Sequence, residues 1–309
     1  MSQHVNTAVV VGAGATGSAV AVLLAEAGDR VLLVTRSGSG PDHPRIERVA
    51  ADASDPVRLT ALAAGAEVLI NCAMPPYDRW PTEFPPLAAS LLSTAEATGA
   101  GYVMLGNLYG YGPVDGPFTD DLPLAPSSVK GEVRARMWRD ALASHEAGRA
   151  RVTEVRASDF LGGGAYSPFT ILVGDQVLAG RPAAYPGDLD VPHSWCYAGD
   201  VARTLVAAAR HEDSWGRAWH VPPTSDLPVR GLAARLAARA GAPAPQLVLM
   251  TEAELAAAAR ADSVTAEFPE VLYLLNRPLL LDATATTEKL GVTATPLDEV
   301  LDSMVAPAA

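Results

Sequence analysis

Apolar and polar positions alternate along the first half of the chain in two rhythms. Ala8–Val11 is short, apolar and β-branched, and runs into Gly12. Ser18–Ala27 is an Ala- and Leu-rich stretch stopped by Gly28, the residue that most readily ends a helix in a left-handed turn. Arg30–Thr35 (RVLLVT), Glu67–Asn71 (EVLIN), Gly101–Leu105 (GYVML) and Arg151–Arg156 (RVTEVR) read as strands, and Ile46–Ala50 as a weaker one. Asp55–Ala64, Leu87–Thr98 and Lys130–Ala147 between them read as helices. Apolar strands alternating with helices predict a parallel sheet covered on both faces.

Beyond residue 160 the rhythm becomes irregular, with Gly162–Gly164 and several prolines. Val201–Ala209, Leu232–Ala240, Glu252–Ala261 and Pro296–Met304 read as helices, and Arg217–Val221 as a strand. The expected fold class is α/β: a Rossmann-type doubly wound parallel sheet with a small, mostly helical C-terminal lobe. The expected division is a dinucleotide-binding domain over 1–160 with a return segment near 188–222, and a substrate-binding lobe over 161–187 and 223–309.

Composition narrows the function. The net charge of −12 repels phosphate backbones, so nucleic acid is not an expected partner. Lys130 and Lys289 are the only lysines. Cys72 and Cys196 stand far apart, in no metal or redox spacing, and the six histidines show no paired pattern, so no metal is expected. Met1–Thr7 is short and polar, and no apolar run reaches the roughly 18 residues that would span a bilayer. A cytoplasmic protein with reduced thiols, with no membrane contact, is the expectation.

Ala8–Gly17 reads AVVVGAGATG. Its three glycines fall between a strand and a helix in the first βαβ unit. Gly12 permits the tight turn, Gly14 admits a pyrophosphate to the backbone, and Gly17 lets helix and strand pack closely. Ala15 and Thr16 are expected at the cofactor with the glycines, and the N-terminus of the helix that follows favours an anion. NAD-binding proteins usually place a carboxylate at the end of the second strand, about 20 residues past the glycines. Here Arg36 and Ser37 stand in its place, with Ser39 close by. A guanidinium there matches a 2′-phosphate, so the expected cofactor is NADP(H).

Further segments resemble the short-chain dehydrogenase/reductase superfamily, in its extended, epimerase/dehydratase-like form. Ala50–Asp55 resembles the acidic motif after the third strand, with Asp52 toward the adenine. Asn71-Cys72-Ala73 resembles the segment whose backbone lines the cofactor, at Ala73. Tyr111-Gly112-Pro113, Arg156–Gly162, Tyr197–Ala202 and Pro278–Leu297 resemble later landmarks in the same order. The resemblance spans almost the whole chain.

It also implies a catalytic Ser or Thr followed by Tyr-x-x-x-Lys, in which the phenol moves a proton and the ammonium one helical turn on lowers its pKa. No Tyr-x-x-x-Lys occurs in this chain. Matching the spacing places Asn107 at the hydroxyl position, Lys130 at the Tyr position and Arg134 at the Lys position. On one reading the site is catalytic with substituted parts: Lys130 transfers a proton, Arg134 holds the ribose, and Asn107 and Tyr111 supply hydrogen bonds. On a second it is redox-dead and Lys130 binds an anion. On a third Lys130 is a solvated helix residue. Tyr166, His193 and Trp195 fall where the resemblance places substrate, and Tyr109, an aromatic with a polar tip, suits a pocket wall. A packed histidine anchoring the chain crossover is the preferred reading of His193.

The expected function is an NADP-dependent oxidoreductase or epimerase-like enzyme acting on a small carbonyl or hydroxyl metabolite. A non-catalytic NADP-binding sensor and a non-redox lyase or isomerase that retains NADP are the alternatives. A homodimer through the Leu87–Thr98 and Lys130–Ala147 helices would follow the habit of the superfamily.

Overall fold

The computed structural model describes residues 6–162 and 164–305. Most of the polar N-terminal stretch, and Gly163, lie outside the described residues.

Seven strands form one parallel sheet: β1 (Thr7–Val11), β2 (Arg30–Thr35), β3 (Ile46–Ala50), β4 (Val68–Asn71), β5 (Gly101–Asn107), β6 (Val152–Ala157) and, after three short strands, β10 (Ala218–His220). The three are β7 (Asp159–Leu161), β8 (Ala183–Tyr185) and β9 (Trp195–Tyr197), and β11 (Leu247–Leu249) comes last. The order across the main sheet is β3-β2-β1-β4-β5-β6-β10. It reverses direction between β1 and β4, the place where doubly wound sheets open a crevice at their carboxyl ends.

Strand periodicity sorts the core into two layers. Val10, Leu33, Ile70, Val103 and Val155 face helices α1 (Ala15–Glu26) and α6 (Ala198–Arg210), where Leu24 and Leu205 meet them. Val9, Val11, Leu69, Tyr102 and Met104 face α2 (Pro56–Leu62), α3 (Trp80–Thr98) and α4 (Val129–Glu146), packing with Leu59, Phe84, Leu91 and Trp138. Helix α3 begins at Trp80, seven residues before the apolar pattern announced it, and carries Pro85 and Pro86 inside. Each proline removes an intrahelical hydrogen bond. Burial of Trp80 and Phe84 compensates, because both are almost wholly shielded from water.

The C-terminal region builds a third core from Phe169, Val177, Tyr185, Trp195, Leu232, Leu236 and Leu301. Its helices are α5 (Asp175–Leu178), α7 (Val229–Ala240), α8 (Glu252–Ala261), α9 (Leu272–Leu275) and α10 (Leu297–Val305). Two parallel strand pairs, β8 with β11 and β7 with β9, join them. Each strand is three residues long, too short to show a period in the sequence. Among the described residues, no helix is long and apolar enough to cross a membrane.

Candidate active site

The glycine loop leaves β1 and enters α1. Gly12 has φ +97, and a Cβ there would lie 2.7 Å from the Ala73 amide nitrogen. The loop is thereby pressed against the turn after β4. A Cβ on Gly17 would lie 2.0 Å from the Gly12 carbonyl oxygen, so the first turn of α1 can pack on the loop only without a side chain. A Cβ on Gly14 would meet nothing, and Gly14 and Ala15 are exposed while Thr16 is buried. No side chain caps α1, whereas Asp55 caps α2 and Ser128 caps α4. An uncapped helix N-terminus behind a glycine loop suits an anionic group.

Arg36 and Ser37 are exposed just past β2, and the Ser37 hydroxyl lies 2.8 Å from that of Ser39. Asp52, past β3, accepts from the Ser54 hydroxyl at 2.7 Å and the Ser54 amide at 2.9 Å. These bonds hold its carboxyl below the usual range, and the charge of Arg36 adds to the effect. Past β4, Ala73 donates its amide to Asn71 Oδ1 at 3.0 Å. The residues expected to hold a dinucleotide therefore come together along the carboxyl edge of β1–β4.

A cavity of about 160 Å³ continues this edge over the ends of β4, β5 and β6. Cys72 and Ala73, Gly106 and Asn107, and Ala157 and Ser158 form its floor. Phe268, Val271, Leu274 and Leu275 roof it, and Tyr77, Trp80, Tyr109 and Tyr166 stand in its walls. The Tyr77 and Tyr109 hydroxyls lie 3.1 Å apart. Burial pushes both phenols above their ordinary range and keeps them neutral. Burial likewise pushes the Cys72 thiol up to about 12, leaving it without thiolate character.

Two charged side chains line the cavity, Arg134 and Asp159. The Arg134 guanidinium lies over the rings of Trp80 at 4.6 Å and Phe84 at 4.4 Å, and donates from Nη1 to the Leu105 carbonyl at 3.1 Å. Its buried Nε has no protein partner among the described residues. Desolvation brings its pKa down to about 10. Asp159 Oδ2 accepts from His193 Nε2 at 2.9 Å.

Three sequence expectations, for Lys130, Tyr111 and Trp195, need correction, and His193 takes the packed role preferred for it from the sequence. Lys130 does not line the cavity. It is fully buried, and its ammonium is held by Glu267 and by Glu270 at 2.6 Å, with the Tyr77 ring 4.6 Å away. Neither a solvated residue nor a displayed proton donor, it ties α4 to the segment that forms the roof. Tyr111 is in the core. Its hydroxyl accepts from Arg156 Nη1 at 2.6 Å and pairs with His220 Nε2 at 2.7 Å, while Arg156 binds Glu154 at 2.7 Å. His220 Nδ1 faces the Asp282 carbonyl at 2.9 Å, which places the imidazole proton on Nδ1 and makes the phenol the donor to Nε2. Trp195 is wholly buried and donates to the Leu227 carbonyl at 2.8 Å. His193 packs on Trp195 with ring centres 4.4 Å apart, and reaches the cavity only through Asp159. Asn107, Tyr109, Arg134 and Tyr166 do line it.

Tyr77, Asp159 and the roof residues were missed. Asp159 lies within the Arg156–Gly162 segment, but the segment's pattern gives that carboxylate no distinction.

A doubly wound sheet with a glycine loop at its switch point and a cavity over the neighbouring strand ends defines a Rossmann-type dehydrogenase architecture. The model of the NAD dependent epimerase/dehydratase family matches residues 8–221, and the chain belongs to that family of enzymes. Its fold is similar to the enzyme WbmH of Bordetella bronchiseptica, solved with NAD+, at 19% identity and TM-score 0.74 over 97% of each chain. It is also similar to epimerase Mth375 of Methanothermobacter thermautotrophicus, at 17% identity and TM-score 0.80 over 97% of this chain and 91% of that one. MoeE5, solved with UDP-glucuronic acid and NAD, is 21% identical with TM-score 0.75 over 97% of each chain. At these identities the likeness is one of fold. No curated protein matches the chain by sequence.

Proposed function

We propose that this protein is an NADP-dependent oxidoreductase or epimerase-like enzyme acting on a small, largely apolar carbonyl or hydroxyl compound. The observation that carries the substrate class is the cavity lining: apolar and aromatic apart from Arg134, Asp159, Asn107 and a few hydroxyls. A nucleotide diphosphate, such as the ligand bound by MoeE5, needs several cations. Arg134 is the one cation in this lining, and it is already engaged with two rings and a carbonyl.

In this reading Gly12, Gly14, Ala15, Thr16 and Gly17 receive the pyrophosphate. Arg36 and Ser37 receive the 2′-phosphate, and Asp52 and Ala73 border the adenosine and nicotinamide ends. The buried, unpartnered Nε of Arg134 fits a ribose hydroxyl, the role expected of it from its place on α4. A bound nicotinamide would supply hydride exchange with a substrate carbon. Asn107 and the Tyr77–Tyr109 pair orient the substrate oxygen, and a phenol of that pair passes it a proton.

Fluorescence titration with NADPH and NADH tests the reading. NADPH is expected to bind tightly and NADH weakly, and Arg36→Asp to weaken NADPH by about a hundredfold while leaving NADH little changed. Equal loss for both would remove the 2′-phosphate assignment. The sequestration of Lys130 favours a second reading, a non-catalytic NADP-binding protein. Stoichiometric NADPH binding without consumption across a panel of apolar ketones and aldehydes would select it.

A further inference from the structure

The cavity holds a carboxylate that the reading above does not use. Asp159 lies just past the end of β6, its side chain 22% exposed, and His193 Nε2 anchors one oxygen at 2.9 Å. His193 is itself fixed by the Trp195 ring. Among the described residues Asp159 pairs with no arginine or lysine. Tyr77, Tyr109, Phe160 and Phe268 line the same cavity, and the first two feel the Asp159 charge. After burial, the Asp159 charge is one of the causes that hold the Tyr77 and Tyr109 phenols un-ionised. At the cavity mouth Tyr166 is similarly held up, by burial and then by Asp262. Lys130 behind the wall is outweighed by its two glutamates. Arg134 is turned to the Trp80 and Phe84 faces and the Leu105 carbonyl.

A fixed carboxylate in an aromatic, largely apolar cavity is a poor host for an anion and costly to leave without a counter-charge. Aromatic faces beside it attract a cation through their quadrupoles. The overall charge of −12 draws cations toward the mouth. We infer that the substrate carries a protonated amine, bound by Asp159 between the rings of Tyr77, Tyr109 and Phe268, with His193 as the positioning residue behind it. This assignment rests on the proposed substrate site and narrows its ligand to a small apolar compound with one ammonium group.

The test compares benzylamine with benzyl alcohol, which share a shape and differ in charge at neutral pH. Both are titrated calorimetrically into the full-length protein saturated with NADPH. Benzylamine is expected to bind tighter by about tenfold, the effect of one charge-assisted hydrogen bond. Asp159→Asn is expected to abolish the difference and leave NADPH affinity unchanged. Equal affinities in the unsubstituted protein, or a preference that survives Asp159→Asn, would overturn the inference, and the first of these needs no variant to fold. Absence of a charge preference in the unsubstituted protein with NADPH bound sinks this assignment alone, whereas failure of NADPH to bind sinks the cofactor reading beneath it.

Discussion

At the end of β1 the site is made by backbone against backbone; at the end of β5 it is made by side chains. Gly12 and Gly17 are fixed by close approach, the latter's missing Cβ lying 2.0 Å from a carbonyl oxygen. Asn107, Tyr109 and Arg134 hold their places through an amide, a phenol pair and two ring faces, each replaceable by another arrangement. The glycine loop carries the expected pattern, whereas the Tyr-x-x-x-Lys that the resemblance implies occurs nowhere in the chain. The chemistry can be done by other groups nearby, but no other residue can replace a missing Cβ.

The largest effect should follow a break in the rigid half. Gly17→Ala forces α1 off the loop and is expected to reduce NADPH affinity by more than about a hundredfold. Retained affinity, measured by fluorescence titration, would show that the loop yields and that the contrast is false. In the adaptable half, Lys130→Met leaves Glu267 and Glu270 facing each other without their cation. Because the ammonium is fully buried, the expected loss is about 3 kcal/mol in urea unfolding. A neutral result would mean that Lys130 is not what holds the roof down.

The network under the cavity gives a pH signature of similar size. Burial depresses His220 from 6.5 to about 4 in the folded state. Between those values the unfolded chain takes up a proton that the native protein refuses. Stability is therefore full above pH 6.5 and falls as pH drops toward 4, by about 3 kcal/mol in all from this group. His220→Gln should flatten that part of the curve in thermal melts; an unchanged slope would assign the acid sensitivity elsewhere. The smallest effect on stability belongs to Tyr109→Phe. It deletes one hydroxyl pair, for about 1 kcal/mol of stability, and should leave NADPH affinity as it was. A large fall in NADPH affinity instead would bring Tyr109 into the rigid half.

The same contrast decides what could be read from the sequence. Strands β2 and β3 and helix α8 fall where the apolar pattern put them, because period and punctuation are local properties. The glycine loop was legible for the same reason. The start of α3 was hidden by Pro85 and Pro86, whose cost is met by tertiary burial that no local pattern displays. The cavity was legible only in part. Tyr77, Tyr109, Asp159 and Phe268 come from four separate stretches of chain and share no spacing. The roles of Lys130 and Tyr111 were misplaced because their partners, Glu270 and His220, lie 140 and 109 residues further on.

That distance has a consequence for how the chain acquires its structure. As it emerges from N- to C-terminus, β1–β6 and α4 are complete long before Glu267 and Glu270 exist. The Lys130 ammonium must stay hydrated until those carboxylates arrive, so the α4 end of the β1–β6 sheet cannot close by itself. Contacts so far apart in sequence close slowly. A fragment ending near residue 160 should hold its sheet yet expose a wet, unfinished edge at Lys130, and the last step of folding should be the arrival of the roof.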